Sequence, residues 1–210
     1  MRADFPSGPD YYDRLYGARR WTSAVTLNLA IGQGENAQTL VNMVRFYQML
    51  ASDGRDRPPY VVRPRAASAI TLGLEPEQLQ GLREAMISVV QRGTARGAAG
   101  RFAALAIAGK TGTAQNPHGP PHGWFIGFAP AERPEIVVGA IVEFAREGPY
   151  VAPLVARVIA RYLGADSTSV PIQVTLPSDT APHPMQLLPG AGPEAASPDT
   201  THAAPAPRNR

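Results

Sequence analysis

Lys110, Thr111, Gly112 and Thr113 lie within Gly109-Lys110-Thr111-Gly112-Thr113-Ala114-Gln115, directly after the apolar run Leu105-Ala106-Ile107-Ala108. These residue types suit the capture of a peptide-like acyl substrate. A strand edge holds an extended peptide by main-chain hydrogen bonds, and Gly112 removes a side chain where a substrate backbone must come close. Thr111 and Thr113 offer hydroxyls to a terminal carboxylate. Lys110 supplies a positive field for that anion and for proton transfer. A Lys-Thr-Gly triplet is one of three elements that serine acyl-transfer sites combine, with a Ser-x-x-Lys and a Ser-x-Asn type element. Lys110 is the only lysine in the chain, so no Ser-x-x-Lys exists.

Other chemistries fit less well. Ala104-x-x-x-x-Gly109-Lys110-Thr111 matches a relaxed phosphate-loop spacing, but such a loop needs glycine-rich backbone turned toward the anion and a helix starting at the lysine. Here the intervening residues are apolar, and Gly112, Pro117, Pro120 and Pro121 follow, which prevents a helix. His118 and His122 are four apart, yet Gly119-Pro120-Pro121 forbids the helix that would pair them, so no metal is expected. A net charge of +3 from scattered arginines argues against nucleic acid. Zero cysteines exclude disulfides and thiol chemistry. Nothing calls for a cofactor.

The elements that must position the Lys-Thr-Gly run follow from periodicity. Residues 1–26, with a Tyr-rich segment at Tyr11, Tyr12 and Tyr16, read as irregular chain. Asn36 is a candidate cap for a helix over 37–52, where Leu40, Met43, Val44, Tyr47 and Leu50 keep helical spacing and Gly54 stops it. Tyr60-Val61-Val62 suggests a short edge strand. A second helix starts near Pro76, with Leu79, Leu82, Met86, Val89 and Val90 on one face and Gly93 at its end. Phe102 to Gln115 reads as a strand entering the site. Gly123–Phe128 and Ile136–Phe144 read as two more, joined by a turn short enough for an antiparallel pair. The last strand is nearly all apolar and should be covered on both faces. Trp124 and Phe125 must then face opposite ways, one into the core. A final helix spans about 151–163, and from Ala165 the Pro/Ala/Ser-rich composition predicts a disordered tail over 165–210. The layout is α+β: helices packed on an antiparallel sheet over 27–164.

Four segments occur in a characteristic order. They are Ile31-Gly32-Gln33-Gly34-Glu35, Gly93-Thr94-Ala95, Ala108 to Gln115, and His122-Gly123-Trp124-Phe125-Ile126-Gly127-Phe128-Ala129-Pro130. Together they resemble the C-terminal half of a penicillin-binding protein transpeptidase domain, over about residues 20–163. The last segment is most similar to the monofunctional, cell-elongation type. The resemblance implies an incomplete part of a penicillin-binding/serine β-lactamase-like fold. It also implies that Lys110, Thr111 and Gly112 line the cleft, that Thr111 and Thr113 bind the carboxylate of a D-Ala-D-Ala stem or a β-lactam, and that the Thr113 N–H is one oxyanion donor. Catalytic roles would then fall to Lys110 and Thr113. Gly32-Gln33-Gly34 would be a structural turn.

The resemblance also marks what is missing. Thr26-Leu27-Asn28 imitates the second element, but it lies just before Ile31–Glu35, whereas the family's second element lies well upstream, so it is read as structural. Without a serine activated by a neighbouring base there is no acyl-enzyme route. The expectation is therefore a C-terminal fragment of a peptidoglycan D,D-transpeptidase, from a truncated or split reading frame, inactive alone. A serine β-lactamase-like fragment and a non-catalytic remnant of the fold are the alternatives. Expected partners are the peptidoglycan stem peptide and β-lactams in the complete domain, a separate N-terminal piece, and cell-wall elongation proteins. The complete family protein is expected at the inner membrane with a periplasm-facing domain. The polar, turn-rich N-terminus Met1–Asp10 is not expected to act as a signal peptide, and no run approaches the ~18 apolar residues of a membrane span.

Overall fold

Alternating side-chain direction along one strand organises the core. In the computed structural model, which describes residues 9–18, 20–60, 70–99 and 102–165, that strand is β2 (Gly119–Ala129). It lies between β1 (Ala108–Asn116) and β3 (Ile136–Val142), and both pairings are antiparallel. Phe125 and Ala129 point to one face and Ile126 and Phe128 to the other, the period of two that a pleated strand imposes. All four are buried. Burying each phenylalanine contributes about 2–3 kcal/mol.

The Ile126 face is covered by α3 (Leu40–Ala51) and α4 (Pro76–Gln91) through Tyr47, Leu50, Leu79 and Met86. The Phe125 face is covered by α5 (Arg96–Ala99) and α6 (Ala152–Tyr162), with Val155 and Ile159 fully buried. Val90 at the end of α4 joins this second cluster, so α4 links the two layers beside β1. On β3, Ile136, Val138, Ala140 and Val142 pack toward α6, and Val137 packs toward α3. Both faces of β3 are thus covered. Its residues remain half-buried because it is an outer strand of the sheet.

Capping explains where the helices start. Thr39, not Asn36, caps α3: its hydroxyl accepts from the Asn42 N–H at 3.2 Å, while Asn36 is taken up by the Gln38 amide. Glu75 and Gln78 form a reciprocal capping box in front of α4, with Pro76 in its first turn. Leu82 shares the spacing of the buried α4 residues yet is exposed.

The N-terminal segment 1–26, read as irregular, holds the helix α1 (Pro9–Tyr16) and the start of a second, α2 (Ser23–Ala30). Tyr12 is buried with its ring centroid 5.1 Å from that of Trp21, and the Trp21 indole donates to Asp13 at 2.9 Å. Thr22 caps α2. These eight-residue helices are too short to persist on propensity; nonlocal aromatic contacts and caps set them, which periodicity does not register. Thr26 and Asn28 lie exposed on α2. The Phe102–Gln115 segment also differs from a continuous strand. Ala103–Leu105 is a turn of 3-10 helix, Ala106 adopts left-handed backbone with φ of 47°, and only from Ala108 does the strand begin. Val61, Val62 and the 166–210 tail lie outside the described residues.

Candidate substrate-binding cleft

Because the strand order among the described residues is β1-β2-β3, β1 is an outer strand there and the Lys-Thr-Gly run stands at the edge of that sheet. Opposite it on β2, Thr111 faces Phe125, Gly112 faces Trp124 and Thr113 faces Gly123. Strand alternation puts the Thr111 and Thr113 side chains on one face and that of Lys110 on the other.

Lys110 is exposed, and its ammonium donates to the Thr111 carbonyl at 2.9 Å. The Thr111 hydroxyl lies 2.7 Å from that of Thr94, in the turn after α4. The Thr113 hydroxyl accepts from the Gly148 N–H at 3.4 Å. Its carbonyl accepts from the Gln33 side-chain amide at 2.8 Å. The same Gln33 amide accepts from the Gln115 N–H at 3.3 Å.

These residues border a cleft of about 420 Å³ between the Ile31–Gln38 turn, α3 and β1; Gln33, Tyr47, Lys110, Thr113 and Trp124 are among its walls. Among the described residues Lys110 is the single charged one lining it, so the local field favours an anion. A larger groove of about 710 Å³ lies between α3 and the start of β3. Its walls, Leu40, Val44, Pro134 and Ile136 among them, are mostly apolar and remote from Lys110, so its size carries no functional weight. Trp124 and Phe125 divide as the alternation requires: Phe125 is fully buried and Trp124 lines the cleft.

Two close approaches shape the strand. A Cβ on Gly148 would stand 2.5 Å from the Gly112 carbonyl oxygen and 2.6 Å from that of Trp124, so the 148 turn packs directly on the β1–β2 backbone. At Gly112 a Cβ would meet only the Trp124 side chain, at 3.2 Å. Gly112 therefore keeps the cleft open rather than relieving a backbone clash.

Gln33, in the wall of the cleft, and Thr94, bonded to Thr111 at its border, are the residues that composition and spacing left without a role at β1. Each reaches β1 from a turn far away in sequence, 80 residues in the case of Gln33. Their motifs, Gly32-Gln33-Gly34 and Gly93-Thr94-Ala95, were visible; their meeting at one strand was not. The turn carrying Gln33 is itself tied down, with the Gln33 N–H bonded to the Asn28 carbonyl at 2.8 Å and the Tyr16 hydroxyl bonded to the Glu35 carboxylate. That bond pushes the Tyr16 phenol up to about 12. His122 does not face His118 in a shared site: its Nδ1 accepts from the Phe144 N–H at 3.1 Å, and His118 sits in the β1–β2 turn. Among the described residues no serine hydroxyl lines the cleft.

Comparison with known proteins adds the family context. The family described as the penicillin binding protein transpeptidase domain matches residues 10–160. Peptidoglycan D,D-transpeptidase MrdA of Acinetobacter baumannii is 33% identical over 170 residues, covering 69% of this chain and 25% of its own length. The crystal structure of Pseudomonas aeruginosa PBP2 in complex with WCK 5153 superposes with a TM-score of 0.62 at 29% identity, over 84% of this chain and 39% of that one. Penicillin-binding protein A of M. tuberculosis, solved as an imipenem acyl-enzyme complex, gives a TM-score of 0.53 at 28% identity, over 64% of this chain and 33% of that one. The chain thus spans about a quarter of the length of MrdA.

Proposed function

The chain belongs to the penicillin-binding protein transpeptidase domain family, and from that premise we propose that it supplies the substrate-holding strand of a peptidoglycan D,D-transpeptidase. The observation that carries this reading is the outer position of β1 among the described strands, where Lys110, Thr111, Gly112 and Thr113 border an anion-favouring cleft. An extended stem peptide ending in D-Ala-D-Ala would lie along this edge and pair with its backbone, displacing the Gln33 amide from the Thr113 carbonyl. Thr111 and Thr113 would hold its terminal carboxylate, with Lys110 supplying the field. The Thr113 N–H would donate to the carbonyl oxygen as negative charge develops there.

The nucleophile must come from outside this sequence, since no Ser-x-x-Lys is present. In the reaction the serine oxygen attacks the penultimate D-Ala carbonyl, and the C–N bond to the terminal D-Ala breaks. That residue leaves as the free amine after taking a proton. The amine of a neighbouring stem then attacks the ester, the serine recovers its proton, and the new amide is the cross-link. A β-lactam would acylate the same serine with its ring amide in place of the D-Ala bond. The M. tuberculosis relative solved as an imipenem acyl-enzyme supports this part of the reading. Among the described residues no helix is long and apolar enough to cross a membrane. We assign the work of the complete protein to the periplasmic face of the inner membrane, alongside cell-wall elongation proteins.

The test is covalent labelling with a reporter penicillin. The 210-residue chain alone is expected to form no denaturation-resistant adduct, whereas a polypeptide that joins it to a family segment bearing Ser-x-x-Lys is expected to form one. A stoichiometric adduct on the chain alone would overturn the assignment of the nucleophile. Failure of a folded joined protein to label would overturn the transpeptidase reading.

A further inference from the structure

Two bonds tie the connection between β3 and α6 to neighbouring residues of β2. The Phe144 N–H donates to Nδ1 of His122 at 3.1 Å, and the Arg146 N–H donates to the Pro121 carbonyl at 2.8 Å. A backbone N–H can only donate, so Nδ1 is the bare nitrogen of a neutral ring whose proton sits on Nε2. The Phe144 ring lies against the same imidazole, 5.1 Å from centroid to centroid. It also comes close over Gly119, where a Cβ would stand 3.1 Å from it.

This connection is held in a conformation it would not choose alone. Phe144 and Arg146 both adopt left-handed backbone, with φ of 58° and 68°. For residues with a side chain, a bulky aromatic above all, that backbone is unfavourable and persists only where surrounding contacts hold it. The same two residues are the ones whose N–H groups are tied to His122 and Pro121. The 148 turn follows directly. There the Glu147 carbonyl comes so near β2 that a Cβ on Gly123 would stand 2.7 Å from it, and the Gly148 N–H reaches the Thr113 hydroxyl at 3.4 Å.

From this geometry we propose that His122 is a positioning residue for the acyl-transfer site. Its neutral imidazole holds the Phe144 peptide, and the connection so held delivers the Gly148 N–H to Thr113. Because that N–H only donates, the Thr113 hydroxyl accepts from it and keeps its own proton for a substrate carboxylate. Protonation of His122 fills the Nδ1 lone pair and sets donor against donor. The contact is therefore complete above the imidazole range and is lost as pH falls through it. The inference rests on the reading that Thr113 holds the carboxylate, and it assigns His122 no contact with reacting atoms.

The charged groups around this position are known. On β1 the residue paired with His122 is Ala114, and Lys110 is the charge further along that strand. The connection carries Glu143, Arg146 and Glu147, and the β1–β2 turn carries His118. Beyond them stand Glu35, bonded to Tyr16, and Arg45 on α3, paired with Asp56. All of these stay in place when residue 122 alone is changed, so comparison with wild type isolates that position.

The test uses the 210-residue chain with His122→Asn and His122→Phe, between about pH 8 and about pH 5.5. The readouts are amide exchange protection at Phe144 and Gly148, and NMR titration with an acetylated tripeptide ending in D-Ala-D-Ala. In wild type, both protection and peptide affinity should fall about fivefold across this interval, the scale of one lost hydrogen bond. The asparagine amide oxygen accepts from the Phe144 N–H without titrating, so His122→Asn should match wild type at the upper pH and show no such fall. His122→Phe keeps a ring beside Phe144 but offers no acceptor, and should show the low-pH values throughout. Wild-type protection at Phe144 that does not change with pH, or an equal fall in His122→Asn, would overturn the proposal. If wild type gives no peptide-induced shifts at Thr111 or Thr113 at the upper pH, the carboxylate reading fails instead. Protection at Phe144 and Gly148 then still decides whether His122 holds the connection.

Discussion

Gly148→Ala measures how tightly the substrate strand is pressed from behind. The added Cβ would sit 2.5 Å from the Gly112 carbonyl oxygen, 2.6 Å from the Trp124 carbonyl oxygen and 2.8 Å from the Gly112 nitrogen. All three are backbone atoms of the β1–β2 pair, so no side chain can swing aside to make room. Overpacking of this kind costs about 1–3 kcal/mol, and contact with fixed backbone belongs at the upper end. Gly148 does not have a positive φ, so alanine recovers about 0.4–1 kcal/mol through the unfolded chain. The net expectation is a loss of about 2 kcal/mol. With a urea slope of about 2 kcal/mol per molar, the unfolding midpoint should drop by about 1 M. Gly112→Ala is the informative companion. There the Cβ meets only the Trp124 side chain, at 3.2 Å, so the midpoint should move by less than about half as much while the cleft narrows. Equal midpoints for wild type and Gly148→Ala, by urea unfolding followed with tryptophan fluorescence, would refute the argument that the 148 turn packs on the β1–β2 backbone.

Three further outcomes follow from side-chain partners. Arg45→Met removes the α3 guanidinium that pairs with Asp56, whose side chain is 1% exposed, and should cost about 3 kcal/mol in urea unfolding; a loss below about 1 kcal/mol would mean that the pair is not holding a buried charge. The Tyr16 phenol, raised from 10.0 to about 12 by its bond to Glu35, should titrate late in an absorbance titration alongside Tyr12 and Tyr47, whose phenols burial also raises, and Tyr16→Phe should lower the amplitude of that late phase. Because the folded chain holds this proton more tightly than the unfolded one, the stabilisation is full below pH 10 and is lost as pH rises toward 12. Tyr16→Phe should therefore flatten the stability curve in that window, as followed by urea midpoints at successive pH values. Thr111→Val deletes the hydroxyl beside Thr94 without changing side-chain shape, and should weaken binding of a D-Ala-D-Ala peptide about fivefold. Unaltered affinity would exclude that hydroxyl from the carboxylate site.

What the sequence made legible was what periodicity and local chemistry encode. The alternation through Trp124–Phe128 placed β2 and its two faces, Glu75-Pro76 marked the start of α4, and the Val155/Ile159 spacing marked α6. Lys110–Thr113 stood out because the residue types are unusual for a strand. Helix α2 escaped because its eight residues have no buried face from which a period could arise. Phe102–Ile107 misled because an apolar run satisfies a strand and a 3-10 turn equally; the left-handed φ at Ala106, which no alanine announces, decides between them.

The cleft belongs to a different category of information. Gln33 and Thr94 are ordinary polar residues in glycine-bearing turns, and local sequence assigns them to those turns correctly. Their work on β1 exists only because α3 and α4, through Tyr47, Leu50 and Met86, pack on the Ile126 face of the sheet and so bring both turns to one edge. A hydrogen bond spanning 80 residues is a consequence of core packing, not of a motif. It follows that changes in the α3–α4 core should reach Thr113 through Gln33 before they reach Lys110, whose contact to the Thr111 carbonyl spans a single residue. Met86→Ala, a buried truncation that should cost about 2–5 kcal/mol, should loosen Gln115 exchange more than it shifts the Lys110 side chain. Equal responses at the two positions would mean that the strand, rather than the turn, carries the coupling.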